Sequence, residues 1–348
     1  MGRIFLNNLL SSRSNSNLQQ NSKRTIERKR TARTISKSAD EEGERGKLGE
    51  CKMTDNDKQA EQEKTLKDSF NKVLNAHGYG FQYSALEFIK ESYHQGKTNW
   101  LFEAAEYPVE VQGKHTCIDF ILKWKYLSLF LIAECKRVDP KFSNWCFIKA
   151  PYELRHRTYE KFVMDSLTFS KNPGVAISRR TLISPKTVWG EINPNTTFHI
   201  GVVLKNHSTG CESGRSENDA IENAASQVCR GLNGFMDLAA EKHPLSGDQL
   251  FFMPAIITTA KLWTSDSDIS HSNILDGKIK LTDESLVERG WIYYQYHLSP
   301  GLKHSMKDLS TTEDSFSKIL DQEYIRTILI ISASGIEDFL TKFDPSIL

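Results

Sequence analysis

The spacing of apolar residues changes along the chain and sorts its middle into helices and strands. In TLKDSFNKVLNAHG, Leu66, Phe70, Val73 and Leu74 recur at helical spacing, and the run stops at Gly78. YSALEFIKESYHQG repeats the pattern with Leu86, Ile89 and Tyr93 and ends at Gly96. Three strands are predicted next, in NWLFEAAEYPVEVQG, HTCIDFILKW and YLSLFLIAECKRV, the last two as nearly continuous apolar runs. An irregular stretch rich in aromatics and prolines covers residues 139–195. FHIGVVLK then reads as a buried strand, and SENDAIENAASQVCRGLNGFMDLAAEK as the longest helix, N-capped at Ser216 with Asp219 three residues on. LFFMPAIITTAKLWT is one further strand, GWIYYQYHL and TILIISAS are two more, and GIEDFLTKF is a short closing helix. This order predicts an α/β fold, a single domain over residues 61–348 with a mixed central sheet flanked by helices.

Residues 40–64 are almost wholly polar, so residues 1–60 are expected to be a disordered basic and polar tail and linker. Residues 1–39 hold nine Lys or Arg against one acid, Glu27, inside a chain of net charge +1. Three readings of that segment stay open: a solvated tail, a leader upstream of Met53, and a Ser- and Arg-rich transit peptide. The near-neutral body argues against nonspecific coating of nucleic acid and leaves room for a local basic groove. Six cysteines lie without metal-ligand spacing, Cys117 and Cys135 inside apolar runs, as suits a reducing, cytoplasmic setting. No apolar run reaches the ~18–20 residues of a membrane span.

Three Glu-x-Lys triplets occur, beginning at Glu27, Glu50 and Glu134. The first two lie in polar sequence with nothing to dry them. The third follows five apolar residues, 129–133, so Glu134 and Lys136 emerge at the end of a buried strand on one face. Charges there need compensation. Asp119 sits on the preceding strand. A tight turn centred on Tyr126 and Leu127 would set 119 directly opposite 134, each seven residues from its side of the turn. Opposed Cβ atoms lie ~4.5–5.5 Å apart. Two carboxylates so held form a site of the kind Mg²⁺ accepts, with Mn²⁺ able to substitute, and Lys136 would stand beside the ion. A one-residue slip of the turn would destroy the arrangement.

An acid on one strand, a hairpin, and Glu-x-Lys ending the next strand resemble the PD-(D/E)XK nuclease superfamily, with its restriction-endonuclease-like fold. The resemblance covers about residues 66–265, with an insertion at about 139–215 after the third core strand. Asp119 matches the family's metal-binding Asp, Glu134 its second metal-binding acid, and Lys136 its catalytic lysine; Ile118 stands where the formal signature has proline. The resemblance implies Mg²⁺-dependent phosphodiester hydrolysis of nucleic acid, DNA favoured, by an endonuclease. Accessory positions would be Glu87 or Glu91 on the early helix and Gln227 on the long one. Glu103, Glu106 and Glu110 also lie near the hairpin; Glu110 could face the site, with solvated edge-strand glutamates the expectation. The segment after Lys136 interleaves basic and aromatic residues. Arg137, Lys141, Trp145, Lys149, Arg155 and Arg157 could line a nucleic-acid groove, with the alternative that the insertion packs a small core of its own. A homodimer is compatible with cutting both strands. The competing reading is a catalytically silent nuclease-fold module that binds nucleic acid or a partner protein, its charged trio serving only to lock the hairpin.

Overall fold

The computed structural model describes residues 55–76, 78–149, 162–168, 178–184, 197–207, 210–213, 219–242, 249–265, 286–299, 302 and 325–343. The chain divides into two units, Met1–Glu61 and Gln62–Leu348. Helix α1 (Asp55–Ala76) begins ten residues before the apolar stripe at Thr65 and inside the expected tail. Its start is polar, so no apolar spacing marks it in the sequence. The stripe itself meets no core: Leu66 is 71% and Phe70 61% exposed. Helix α2 (Tyr79–His94) follows the left-handed Gly78 and buries Ala85, Leu86 and Ile89.

The main sheet contains β1 (Trp100–Val111), β2 (Lys114–Trp124), β3 (Leu129–Lys136), β5 (Phe162–Thr168), β6 (Ser178–Ser184), β7 (Thr197–Phe198), β10 (Gln249–Thr258), β13 (Trp291–His297) and β14 (Ile325–Ser332). Its order is β1-β2-β3-β10-β14-β13-β7, with β5 pairing both β10 and β6. β1, β2 and β3 form an antiparallel meander, and β10 lies parallel to β3 and to β14. A second sheet of five strands has the order β12-β11-β4-β8-β9: β12 (Leu286–Arg289), β11 (Lys261–Ser265), β4 (Asn144–Ile148), β8 (Ile200–His207) and β9 (Gly210–Ser213). The fold is therefore α/β with a mixed central sheet.

Alternation along the strands builds the layers. Leu129, Leu131 and Ala133 of β3 share one cluster with Met253, Ala255 and Ile257 of β10, with α2, and with helix α4 (Ile336–Lys342). Phe130 and Ile132 face the other way, with Leu232 and Met236 of helix α3 (Asp219–Lys242). The N-terminal half of α3 packs with Ile256, Ile328 and Ile330 and with Trp145, Phe147 and Leu262 of the second sheet. α3 approaches β1 and β2 closely at two glycines, where an added Cβ would lie 2.7 Å from Val109 Cβ (Gly234) and 3.0 Å from Ile118 Cγ1 (Gly231).

Two predicted strands are each divided between the sheets. LFFMPAIITTAKLWT breaks at Thr259–Ala260, where Thr258 Oγ1 accepts from Ala260 N at 3.1 Å, and β10 hands over to β11. β3 hands over to β4 alongside it. The two crossings are tied by Thr259 N to Lys136 O (3.1 Å), Val138 N to Thr259 Oγ1 (2.9 Å) and Lys261 N to Ser143 O (2.7 Å). FHIGVVLK divides at His199, leaving Phe198 in the main sheet and β8 in the second. The stretch read as irregular holds β4, β5 and β6, so it builds sheet. Ser216, the expected N-cap of α3, lies outside the described residues. Among the described residues no helix is long and apolar enough to cross a membrane.

Candidate active site

β2 and β3 pair with Phe120 opposite Ala133 and Ile121 opposite Ile132, the register of a turn centred between 126 and 127. Asp119 and Glu134 are the next residues on each strand. The backbone ladder ends just short of them, and the Asp119 side chain takes over: Cys135 N donates to Asp119 Oδ2 at 2.6 Å. Glu134 continues the α3-facing row of Phe130 and Ile132, and Lys136 follows it. Lys136 Nζ donates to Glu134 Oε1 at 2.7 Å and to Gln227 Oε1 of α3 at 3.0 Å. Asp119, Glu134, Lys136 and Gln227 thus come together. Glu134 is buried, while Asp119, Lys136 and Gln227 are half-buried and reachable by solvent.

Two neighbours join them: Glu106, expected near the hairpin as a solvated edge-strand glutamate and indeed exposed, and Gln82, which the sequence analysis did not single out. On β1, Ala105 pairs with Phe120 and Tyr107 with Ile118, so Glu106 falls opposite Asp119 and in row with Glu134. A register shift between Phe102 and Ala104 precedes it, and Glu106 adopts φ 49°, a left-handed conformation rare for a side-chain-bearing residue. On α2, Gln82 Nε2 donates to Glu106 Oε1 at 2.6 Å and to Asp119 O at 3.2 Å. Gln82 lies on the same helix face as Ala85, Leu86 and Ile89, and a polar residue in that apolar stripe was the available signal.

The expected accessory acids do not join them. Glu87 and Glu91 are exposed, because the face holding Gln82, Leu86 and Ile89 is the one turned to the sheet. Trp145 is fully buried at 0% exposure within the core between α3 and the second sheet. Its ring cannot stack on a base, because the alternation of β4 points Trp145 and Phe147 inward. Arg137 is exposed and donates through Nη1 to Asn75 O at the end of α1. Lys141 is exposed, and Lys149 holds its ammonium 5.7 Å from the Phe198 ring centre. Arg155 and Arg157 lie outside the described residues. Cys117 is exposed rather than buried.

The electrostatics are those of acids crowded together while partly dried. Burial pushes the Asp119 carboxyl above its ordinary value, against the lowering effects of the Cys135 N–H and the Lys136 charge. Glu134 is pushed up to about 7, first by burial and then by the Asp119 charge, with Lys136 opposing both. Unfolded, Glu134 titrates near its ordinary 4.5. Between these values the folded metal-free chain holds a proton that the unfolded chain has released, so stability falls as pH rises from about 4.5 to about 7. Glu134→Gln is expected to flatten that part of the profile in urea unfolding measured across pH 5–8 without divalent metal. An unchanged slope would show that the raised carboxyl lies elsewhere.

No family model matches the chain, and neither the curated proteins nor the solved structures searched contain a match to it.

Proposed function

We propose that residues 62–348 form a divalent-metal-dependent phosphodiesterase of PD-(D/E)XK type, with a restriction-endonuclease-like core, that hydrolyses nucleic acid, DNA favoured. The observation that carries this reading is the meeting of Asp119, Glu134 and Lys136 at the solvent-reachable end of the β2–β3 hairpin. The surrounding order supports it: α2, the meander β1-β2-β3, α3, then β10 parallel to β3.

The donor set fits a hard cation. Asp119 and Glu134 are oxygen donors on adjacent strands, and the Asp119 charge raises the proton affinity of Glu134, so an ion between them would relieve that repulsion. Among the described residues no group of three or more His, Cys, Asp and Glu side chains is arranged to hold an ion. Water and substrate phosphate would therefore complete the coordination of Mg²⁺ or Mn²⁺, held by Asp119 and Glu134. When bound, the metal supplies an acidified water and a clamp on phosphate oxygen. The chain's own residues do the rest. Cys135 N orients the Asp119 carboxylate. Lys136, with its ammonium 2.7 Å from Glu134 Oε1, would offer positive charge to the negative charge that develops on the phosphate. Gln227 accepts from Lys136 and fixes the direction of its side chain. Arg137 and Lys141, both exposed just beyond the site, supply positive charge for the flanking backbone.

One observation favours a second reading, the catalytically silent module: the Lys136 ammonium already has two close acceptors, so the trio can compensate itself. Incubating the protein with supercoiled plasmid, single-stranded DNA and RNA, in Mg²⁺, Mn²⁺ or EDTA, separates the two. The enzyme reading expects cutting of DNA in either metal and none in EDTA. Folded protein that retards DNA on a gel and cuts nothing in either metal is a binding module.

A further inference from the structure

We propose that Gln82 is a positioning residue of this site, holding Asp119 from the backbone side and tying β1 to it through Glu106. The inference rests on the metal-site reading of Asp119 and Glu134.

Gln82 is 5% exposed and lies in the first turn of α2, where its N–H donates to Gly78 O at 3.1 Å. The rest of that helix face is Ala85, Leu86 and Ile89, all packed into the sheet. A carboxamide among such neighbours costs free energy unless it is hydrogen-bonded. Its amide nitrogen has two hydrogens, and each reaches a different strand at the same point. One goes to Glu106 Oε1 on β1 (2.6 Å) and the other to the carbonyl of Asp119 on β2 (3.2 Å). A leucine would fill the space on this apolar face without either bond, so packing alone gives no reason for glutamine.

Asp119 is consequently held at both ends. Gln82 fixes its carbonyl and Cys135 N fixes its carboxylate. Both holds are needed because the ladder stops there: beyond Phe120 and Ala133 no regular pairing keeps β2 against β3. β1 is irregular at the same level. Ala104 and Tyr107 both pack on the α3 side, as do Ile121 and Ile118, so the two strands step out of alternation together across Glu106 and Asp119. Gln82 spans this paired irregularity, and Glu106 in its left-handed conformation places a carboxylate against the Gln82 amide. Hydrogen bonds that orient a ligating carboxylate typically change metal affinity by ~10–100-fold when removed.

The test is Mn²⁺ binding, read from the electron-spin signal of free Mn²⁺ during titration, with the metal as the only ligand. Wild type is compared with Gln82→Leu, which keeps the volume and loses both bonds, and with Ser84→Ala, an exposed change on the same helix. Gln82→Asn, one methylene too short to span both strands, serves where the leucine variant fails to fold, and thermal melting confirms the fold of each. The expected result is affinity lowered ~10–100-fold in the Gln82 variants and unchanged in Ser84→Ala. Equal Mn²⁺ affinity in wild type and folded Gln82 variants overturns the positioning role and leaves the site reading standing. A wild type that binds no Mn²⁺ overturns both.

Discussion

Replacing Arg326 with methionine is expected to remove about 3–5 kcal/mol of stability, a large part of what a domain of ordinary stability has. β10 has two neighbours on one edge. β5 pairs with its first half, at Gln249–Phe252, and β14 with its second, at Ala255–Thr258. Where one gives way to the other the ladder cannot continue, and side chains fill the seam. Arg326 Nε on β14 donates to Asp165 Oδ2 on β5 at 2.8 Å, Arg326 Nη1 donates to Ile325 O at 2.7 Å, and Val163 N donates to Thr327 Oγ1 at 2.8 Å. Arg326 and Asp165 side chains are 2% and 1% exposed. Removing the guanidinium takes from the buried Asp165 carboxylate its opposite charge, and the cost of that desolvated charge carries most of the loss. The double variant Asp165→Leu/Arg326→Met is expected to recover much of the loss, since it removes both charges. Urea unfolding of the two single variants and the double variant checks both statements. A single variant within 1 kcal/mol of wild type would place solvent at the seam.

Lys136→Ala is expected to lower the rate of the cleavage step by ~10²–10³-fold with DNA binding little changed, the usual effect of losing one donor to developing negative charge. Its ammonium is a single point among several positive groups near the site, so ground-state affinity loses little. The transition state loses the group two residues along the strand from Glu134, the proposed metal-binding carboxylate. Lys136→Arg is expected to restore charge without restoring the rate, because the wider guanidinium cannot share the narrow space between Glu134 and Gln227. Single-turnover cleavage beside filter binding separates the two quantities. A fall in affinity that accounts for the whole loss would make Lys136 a phosphate anchor instead.

The juxtaposition of Asp119 and Glu134 was legible because a two-residue period and a symmetric turn leave one register that buries both strands, and Phe120 opposite Ala133 realises it. Gln227 came from the resemblance, which puts a glutamine on the helix after the lysine strand, and α3 brings it to Lys136. Glu106 was legible as an exposed glutamate near the hairpin, but its bond to Gln82 was not. Its place depends on a bulge near Glu103 and on a positive φ, neither of which leaves a mark in apolar spacing. The early helix misled through its acids: Glu87 and Glu91 are off the buried face, and the residue that reaches the site is a glutamine. Trp145 misled by composition, since an aromatic among basic residues reads as a stacking surface until its strand is known to alternate inward. The break at Thr259–Ala260 was hidden because β10 and β11 are apolar on both sides of it. The stripe of α1 gave the right helix and no partner, since helical period reports amphipathicity and not what covers it.

The most direct measurement is metal-dependent DNA cleavage by wild type and Asp119→Asn, purified identically. This substitution keeps the acceptor for Cys135 N and removes the charge that would hold the ion. Cutting by wild type in Mg²⁺ or Mn²⁺, lost in Asp119→Asn while its melting temperature is kept, is the predicted result. Equal cutting by both proteins, or no cutting by folded wild type in either metal on any substrate, would contradict a hydrolytic centre at the end of the β2–β3 hairpin.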